Sequence, residues 1–450
     1  MQTTSAPELN LDSFDPAARR PALAALAASA PYPEPGANVN MHFHSFFSYN
    51  AKGWSPSRIA WESRRGGLYA AGLCDFDVLD GLEEFLDAGL ALGLRATVNL
   101  ETRAYLREFA TVEINSPGEP GVTYIMGGGF TRVPAPGTAP AALLRQLREQ
   151  AAARNRARVA RINPHVGAAA IDYERDVVPL SPGRCPTERH IVRAYAVKSR
   201  AAHGTEAALT AFWAALFGKP ADEVRALLAN TPAFEERIRA RLVKQGGLGY
   251  EPPTDRTFPL VDDFVAWALA CEAMPMVTWL DGTSKGEADA MAMLTCLQAK
   301  GAAAVNIVPD RNWNYKDQAV RALKTRKLQE FVEACDRVDL PINIGTEMNR
   351  DGLPFVDDLA GEALAPHRET FIRGAQVMVG HTILGRYAGF SYVGAAAQAE
   401  FGRDVKAKNR FFAAAGALPP LTRAVAATFV EGGPERALNS IRQAVKKGTW

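Results

Sequence analysis

The sequence has no cysteine pair at metal-knuckle spacing, no block of like charge and no long apolar run. Its five cysteines, Cys74, Cys185, Cys271, Cys296 and Cys335, are scattered and odd in number. That argues against a disulfide framework or a zinc knuckle and fits free thiols in a reducing compartment. Lysine and arginine number 51 against 49 acidic residues, a formal charge of +2. With the charge so evenly spread, nothing supports binding to nucleic acid or a membrane surface through bulk charge. No apolar stretch approaches the roughly 20 residues that span a bilayer. The opening MQTTSAPELNLDSFDP lacks the basic start and apolar run of a signal peptide, so the cytoplasm is the expected location. No Walker loop, Gly-x-Ser-x-Gly elbow or Gly-rich dinucleotide fingerprint follows a strand-like segment. Nucleotide cofactors and serine catalysis are therefore left without a motif.

What is present is an ordinary globular composition, 47% hydrophobic and 22% charged, in 450 residues. One core seldom grows that large, but a βα barrel absorbs insertions at this size. Residues 1 to about 36 read as a leader, broken at Pro16 and by PYPEPG, with an alanine-rich stretch between that can form a helix. From Asn38, strand and helix alternate. Strands are expected at 39–44, 68–74, 94–100, 176–180, 274–280, 303–309 and 340–345, with a hairpin pairing 111–115 and 122–126. Ser55-Pro56 suits a helix N-cap and first turn, and Gly93 ends an amphipathic helix over 80–92. Further helices fit 139–160, 286–300 and 316–337. The pattern predicts a barrel over 37–353 with a helical insertion at about 200–250, either a packing elaboration or a lid, and a helical extension over 354–450. Such alternation implies a largely parallel sheet, with the site at the carboxyl ends of its strands.

Those ends carry ionisable groups. They read His42-Phe43-His44, Asp75-Phe76-Asp77, Glu101, Trp279-Leu280-Asp281, Asp310-Arg311-Asn312-Trp313-Asn314 and Thr346-Glu347-Met348-Asn349. Side chains alternate along a strand, so His42 and His44 face the same way and can share one cation. Neutral imidazole suits zinc and other first-row metals.

The stretch 38–103, with HFHS, a later SP, then DFD and NLE, resembles the opening of a PHP (polymerase and histidinol phosphatase) domain. That family begins with His-x-His-Thr, Ser-Asp-Gly and Ser-Pro, followed by Asp-His-Asp and a Gly-x-Glu strand. More loosely, GVTYIMGGGF at 121–130 and NIGTEMNRD at 343–351 resemble its later His-containing strand and its final Gly-Ser-Asp-x-His segment. The resemblance implies a distorted seven-stranded βα barrel, related to the TIM barrel. It also implies up to three divalent metals and phosphoester hydrolysis. His42, His44 and Glu101 carry over directly and Glu347 conservatively. Tyr49, Phe76, Tyr124, Trp279 and Asn349 depart from the family's ligands. Phenylalanine cannot ligate, and a tyrosine phenol must first lose a proton with a pKa near 10. The expectation is one divalent ion, zinc, manganese or iron, on His42, His44, Glu101 and Glu347.

Other groups are candidates for proton transfer or substrate contact. Asp75 or Asp77 suits a general base where burial raises its pKa, or else a helix cap. Arg189 or His190 can hold an anion or move a proton. Asp281 and Lys285 suit phosphate or sugar oxygens. Asp310, Arg311, Asn312 and Asn349 suit a polyhydroxylated ligand. His165 and His381 are lone histidines, structural or replacement ligands, and His203 and His367 read as surface residues.

Two reactions fit. A metal-dependent hydrolase, most simply a phosphoesterase on a small sugar-like metabolite, follows from the resemblance. An isomerase, epimerase or lyase acting at one ion on a sugar or sugar acid follows from the missing ligands. A metal-free binding protein on the same barrel is the third reading. The expected partner is a small phosphorylated or polyhydroxylated molecule, without nucleic acid or membrane; a homo-oligomer is compatible.

Overall fold

Seven strands form one sheet in the computed structural model, which describes residues 6–29 and 31–450. They are β1 (Val39–Phe43), β2 (Ala70–Phe76), β3 (Arg95–Tyr105), β4 (Val122–Gly128), β5 (Met274–Trp279), β6 (Ala304–Ile307) and β7 (Ile342–Ile344). They lie side by side in chain order. Nearly all their residues are buried, as in strands covered on both faces. The two edges meet: His44 N donates to Glu347 O at 3.0 Å and Glu347 N donates to His42 O at 2.8 Å. The sheet is therefore a nearly closed α/β barrel, the class that the alternation predicts.

β1–β2–β3 and β5–β6–β7 are parallel, and β4 runs antiparallel to both its neighbours. This reversed strand is the distortion. It also corrects the expected hairpin. β3 runs on to Tyr105 and itself pairs with β4, from Leu100↔Gly127 to Tyr105↔Val122, leaving 111–115 in the connecting loop. The strand expected at 176–180 is likewise not formed. Tyr173–Val177 is a π-turn and Val178–Leu180 a 3-10 turn. Asp172 caps the first by accepting Arg175 N at 2.8 Å, and Pro179 has no N–H to offer a ladder.

The insertion is larger than expected. Between β4 and β5 the chain forms the long helix Ala139–Ile162 and then Glu188–His203, Glu206–Phe217, Ala221–Leu228 and Thr231–Leu242. These helices share a second core around Ile162, Tyr195, Trp213, Phe234 and Ile238. Only the later part of this unit falls within 200–250, because the long helix and the turns after it belong to the same core. The N-terminal segment is no loose leader. Leu11, Ala22, Leu23 and Leu26 join the barrel core, and Arg19, 3% exposed, forms a two-pronged ion pair with Glu84.

After β7 the chain runs through turns over 345–364, where the extension is expected to begin at 354, and is largely helical from Ala365. Helix Arg368–Ala388 packs across β7 and against helix Val405–Ala417. The two helices touch through glycines: a Cβ at Gly380 would overlap the carbonyl of Phe412, and one at Gly416 that of Gln376. No helix among the described residues is long and apolar enough to cross a membrane.

Candidate metal centre

β1 puts His42 inside the barrel, and His44 follows just beyond its end; both are fully buried. β3 brings Glu101 opposite them, 1% exposed. Glu101 Oε2 lies 3.4 Å from His42 Nε2 and 3.4 Å from His44 Nε2. All three atoms are buried without a hydrogen-bond partner among the described residues. Leaving one such atom unpaired is costly, and three converging on one point call for a shared partner. Separations of that size match the edge of a tetrahedron with bonds of about 2.0–2.1 Å, the length expected for zinc to nitrogen or oxygen. The residues fit a divalent ion. Burial would raise the Glu101 carboxyl, but the two imidazoles hold it down at about 2, in its ligating form. Among the described residues no other group of His, Cys, Asp and Glu converges in this way.

The surroundings orient the ligands. Ser48 Oγ donates to Asp75 Oδ1 at 2.6 Å, and His44 Nδ1 lies 3.2 Å from that hydroxyl. Asp75 also accepts from Ser45 N at 2.7 Å and Ser45 Oγ at 2.6 Å. Burial raises the Asp75 carboxyl, but it is only 2% exposed and does not line the cavity. It therefore positions the turn after β1 and is not placed as a base. His42 Nδ1 lies 3.2 Å from the side-chain amide of Asn306, which bonds to that of Asn343 at 3.0 Å. Phe76 stacks on His44 with ring centroids 5.2 Å apart.

His44 and Glu101 border a cavity of about 630 Å³ whose wall includes residues of the insertion. Its size suits a small metabolite. Asp77 lines it, accepts from Thr102 Oγ1 at 2.6 Å, and is raised by burial. Its φ of 58° is left-handed, as is the 66° of Glu347; strain of this kind gathers at functional sites. Glu347, expected as a fourth ligand, lines the same cavity but stands outside the converging trio. Its Oε2 accepts from Arg311 Nη2 at 2.8 Å.

Of the expected substrate contacts, Arg189, Asp281, Arg311 and Asn349 line the cavity. Arg189 is paired with Glu236, and Asp281 with Lys324 at 2.7 Å. Asp310, Asn312 and Lys285 do not line it. Asp310–Trp313 is a single helical turn, so neighbouring side chains diverge. Arg311 points to the cavity, while Asp310 accepts from Asn314 and Asn312 donates to Leu280 O at 3.1 Å. Lys285 sits in an exposed turn. His190 is engaged in holding a helix end, since its Nδ1 accepts from Thr187 N at 3.0 Å and closes a capping box. Burial pushes it down to about 3, which leaves it neutral. His381 is fixed between Gly129 O and Tyr392 N, His165 is exposed, and neither approaches the trio. His203 and His367 are half-buried, each against a phenylalanine, and not on the open surface.

Sequence reasoning missed the cavity's basic wall. Arg103, Arg154, Arg158, Arg239 and Lys244 all line it, and basic side chains outnumber acidic ones. The signal was present as an arginine-rich helix at 139–162, but a single helix read alone does not say which face is covered.

No family model and no curated protein matches the chain. Among solved structures, a candidate metal-dependent phosphoesterase from Bifidobacterium adolescentis is similar at 15% identity and a TM-score of 0.46, covering 76% of this chain and 98% of that one. An amidohydrolase from Chromobacterium violaceum, with sulfate bound and no metal, is similar at 15% identity and a TM-score of 0.46, covering 74% and 96%.

Proposed function

We propose that the chain is a metal-dependent hydrolase of small phosphoesters, working with one divalent ion on His42, His44 and Glu101. The observation that carries this reading is the three buried, unpartnered donor atoms facing one another beside a cavity rich in arginine. A divalent ion held there supplies a Lewis acid for a phosphoryl oxygen and lowers the pKa of a water. Arg311, already donating one hydrogen bond to a carboxylate oxygen at 2.8 Å, has further N–H groups with which to donate to a phosphoryl oxygen. Asp77, half-buried in the wall and raised in pKa by desolvation, is suited to hold or take a proton. Phe76 and Tyr124, packed edge to face at 6.1 Å, form an aromatic part of the cavity wall next to His44 and Glu101.

Metal analysis of protein purified without chelator is the test, run with a phosphate-release screen. One equivalent of metal with metal-dependent phosphate release is expected. Two or three equivalents, or none, overturn the reading. The single converging trio also favours a second chemistry, isomerisation or elimination on a sugar acid at one ion. One equivalent of metal with sugar-acid turnover and no phosphate release would select it.

A further inference from the structure

Four residues of the long helix Ala139–Ile162 line the cavity: Ala151, Arg154, Asn155 and Arg158. Their spacing, i, i+3, i+4, i+7, is that of one helix face. The helix therefore turns a stripe with two guanidinium groups toward the space that His44 and Glu101 also border.

Most other basic groups in this wall already have carboxylate partners. Arg103 pairs with Glu119 at 2.7 Å, Lys244 with Glu188 at 3.1 Å, and Arg239 with Glu188. Arg154 and Arg158 form no ion pair among the described residues. Arg154 Nη1 donates to Thr257 O at 2.7 Å, and its guanidinium lies 4.6 Å from the centre of the Phe258 ring. Arg158 Nη1 donates to Asn155 Oδ1 at 3.1 Å, and its Nε is buried with no partner. A guanidinium has five N–H donors, so most of theirs remain to be used.

The arrangement is unfavourable as it stands. Burial lowers Arg154 to about 10, which still leaves it cationic at neutral pH. Asp77 acts favourably on Arg154 and Glu188 on Arg158 without reaching ion-pair distance, while like charges four apart on a helix repel and Arg103 adds to that repulsion at both residues. An oxyanion would offset these terms and use the free donors in a two-pronged geometry.

We infer that Arg154 and Arg158 form a receiving site for a second anionic group of the substrate, a carboxylate or a phosphate, on the insertion and separate from the groups on the barrel. The substrate class is then a small phosphoester that carries another oxyanion. That substrate class rests on the phosphoesterase reading, whereas the anion site does not.

The test uses the full-length protein, with metal in place and again after chelation. Inorganic phosphate and malonate are the probes, and the thermal midpoint is the readout. After chelation a rise of several degrees is expected with at least one probe. Response to malonate assigns a carboxylate and response to phosphate a phosphate. The rise should vanish in Arg154→Gln/Arg158→Gln and survive, weakened, in Arg158→Lys. Without probe, the double variant should melt at or above the wild-type temperature, because two half-buried charges without an ion-pair partner are removed. No response in the wild type, a response that survives the double substitution, or a lower unliganded midpoint in the double variant overturns the site. In the activity arm, phosphoglycolate is compared with ethyl phosphate. The wild type should prefer the first at least tenfold in kcat/KM, and the double variant should lose that preference. A wild type that turns over both equally overturns the substrate class. If neither is hydrolysed under any metal, the phosphoesterase reading fails, and the phosphate and malonate shifts still decide the anion site.

Discussion

His44 is tied to Asp75 through one hydroxyl. Ser48 Oγ spends its only proton on Asp75, so toward His44 Nδ1, 3.2 Å away, it can only accept. Nδ1 must therefore carry the hydrogen, and the lone pair of His44 falls on Nε2, the atom that faces Glu101. The carboxylate sets the tautomer that a metal requires. Ser48→Ala and Asp75→Asn should each weaken metal binding by about 10- to 100-fold while leaving the three donors in place. Competition against a metal-sensitive dye checks this. Unchanged affinity in both variants would remove the orienting role.

Glu101 and Glu347 are both buried carboxylates on the cavity, yet only the first converges with the histidines. Glu101→Gln should abolish stoichiometric metal. Glu347→Gln should retain one equivalent and act mainly on substrate binding, because it releases Arg311 from its 2.8 Å partner. Metal content by mass spectrometry separates the two. Loss of metal in Glu347→Gln would restore it to the ligand set, as the sequence pattern suggested.

What could be read in advance follows from the range of the forces involved. The His42-Phe43-His44 pair and the alternation around it depend on local periodicity, and both appear in the structure. The partner of β4 depends on how far β3 extends, a non-local matter, and the expected hairpin was misplaced accordingly. Asp310, Arg311 and Asn312 are expected together at one polyhydroxylated ligand, but a helical turn sends their side chains apart. Arg154 and Arg158 lie on an expected helix, but which of its faces meets a cavity depends on the fold around it.

The crossing of helices Arg368–Ala388 and Val405–Ala417 is built on backbone contact. A Cβ at Gly380 has the Phe412 carbonyl in its way, and that carbonyl cannot move without shifting its helix. Gly380→Ala should destabilise the protein by about 3 kcal/mol, at the upper end for overpacking, although alanine favours the helix by itself. Gly389→Ala, at the end of the same helix with nothing near its added methyl but with φ of 59°, should cost only about 1 kcal/mol. Urea midpoints of the two variants make the comparison. Equal losses would mean that the crossing does not depend on the close approach.

Two histidines should make stability depend on pH in the acid range. His190 is held down at about 3 and His381 at about 4, in each case by burial. Each also accepts a backbone N–H on Nδ1, from Thr187 and Tyr392 at 3.0 Å, a bond that protonation would break. In the unfolded chain both titrate near 6.5. Between that value and the folded one the unfolded state binds more protons, so stability rises with pH there and is lost as pH falls. The contribution is fully present above about pH 7, and by pH 5 each histidine withdraws about 2 kcal/mol. Denaturant midpoints measured from pH 7.5 to 5 should fall accordingly. His190→Asn should remove about half of this pH dependence even if its midpoint at pH 7.5 is lower, since asparagine can cap but cannot titrate. An unchanged slope in that variant would mean that His190 is protonated in the folded protein and that its capping bond is not the one described.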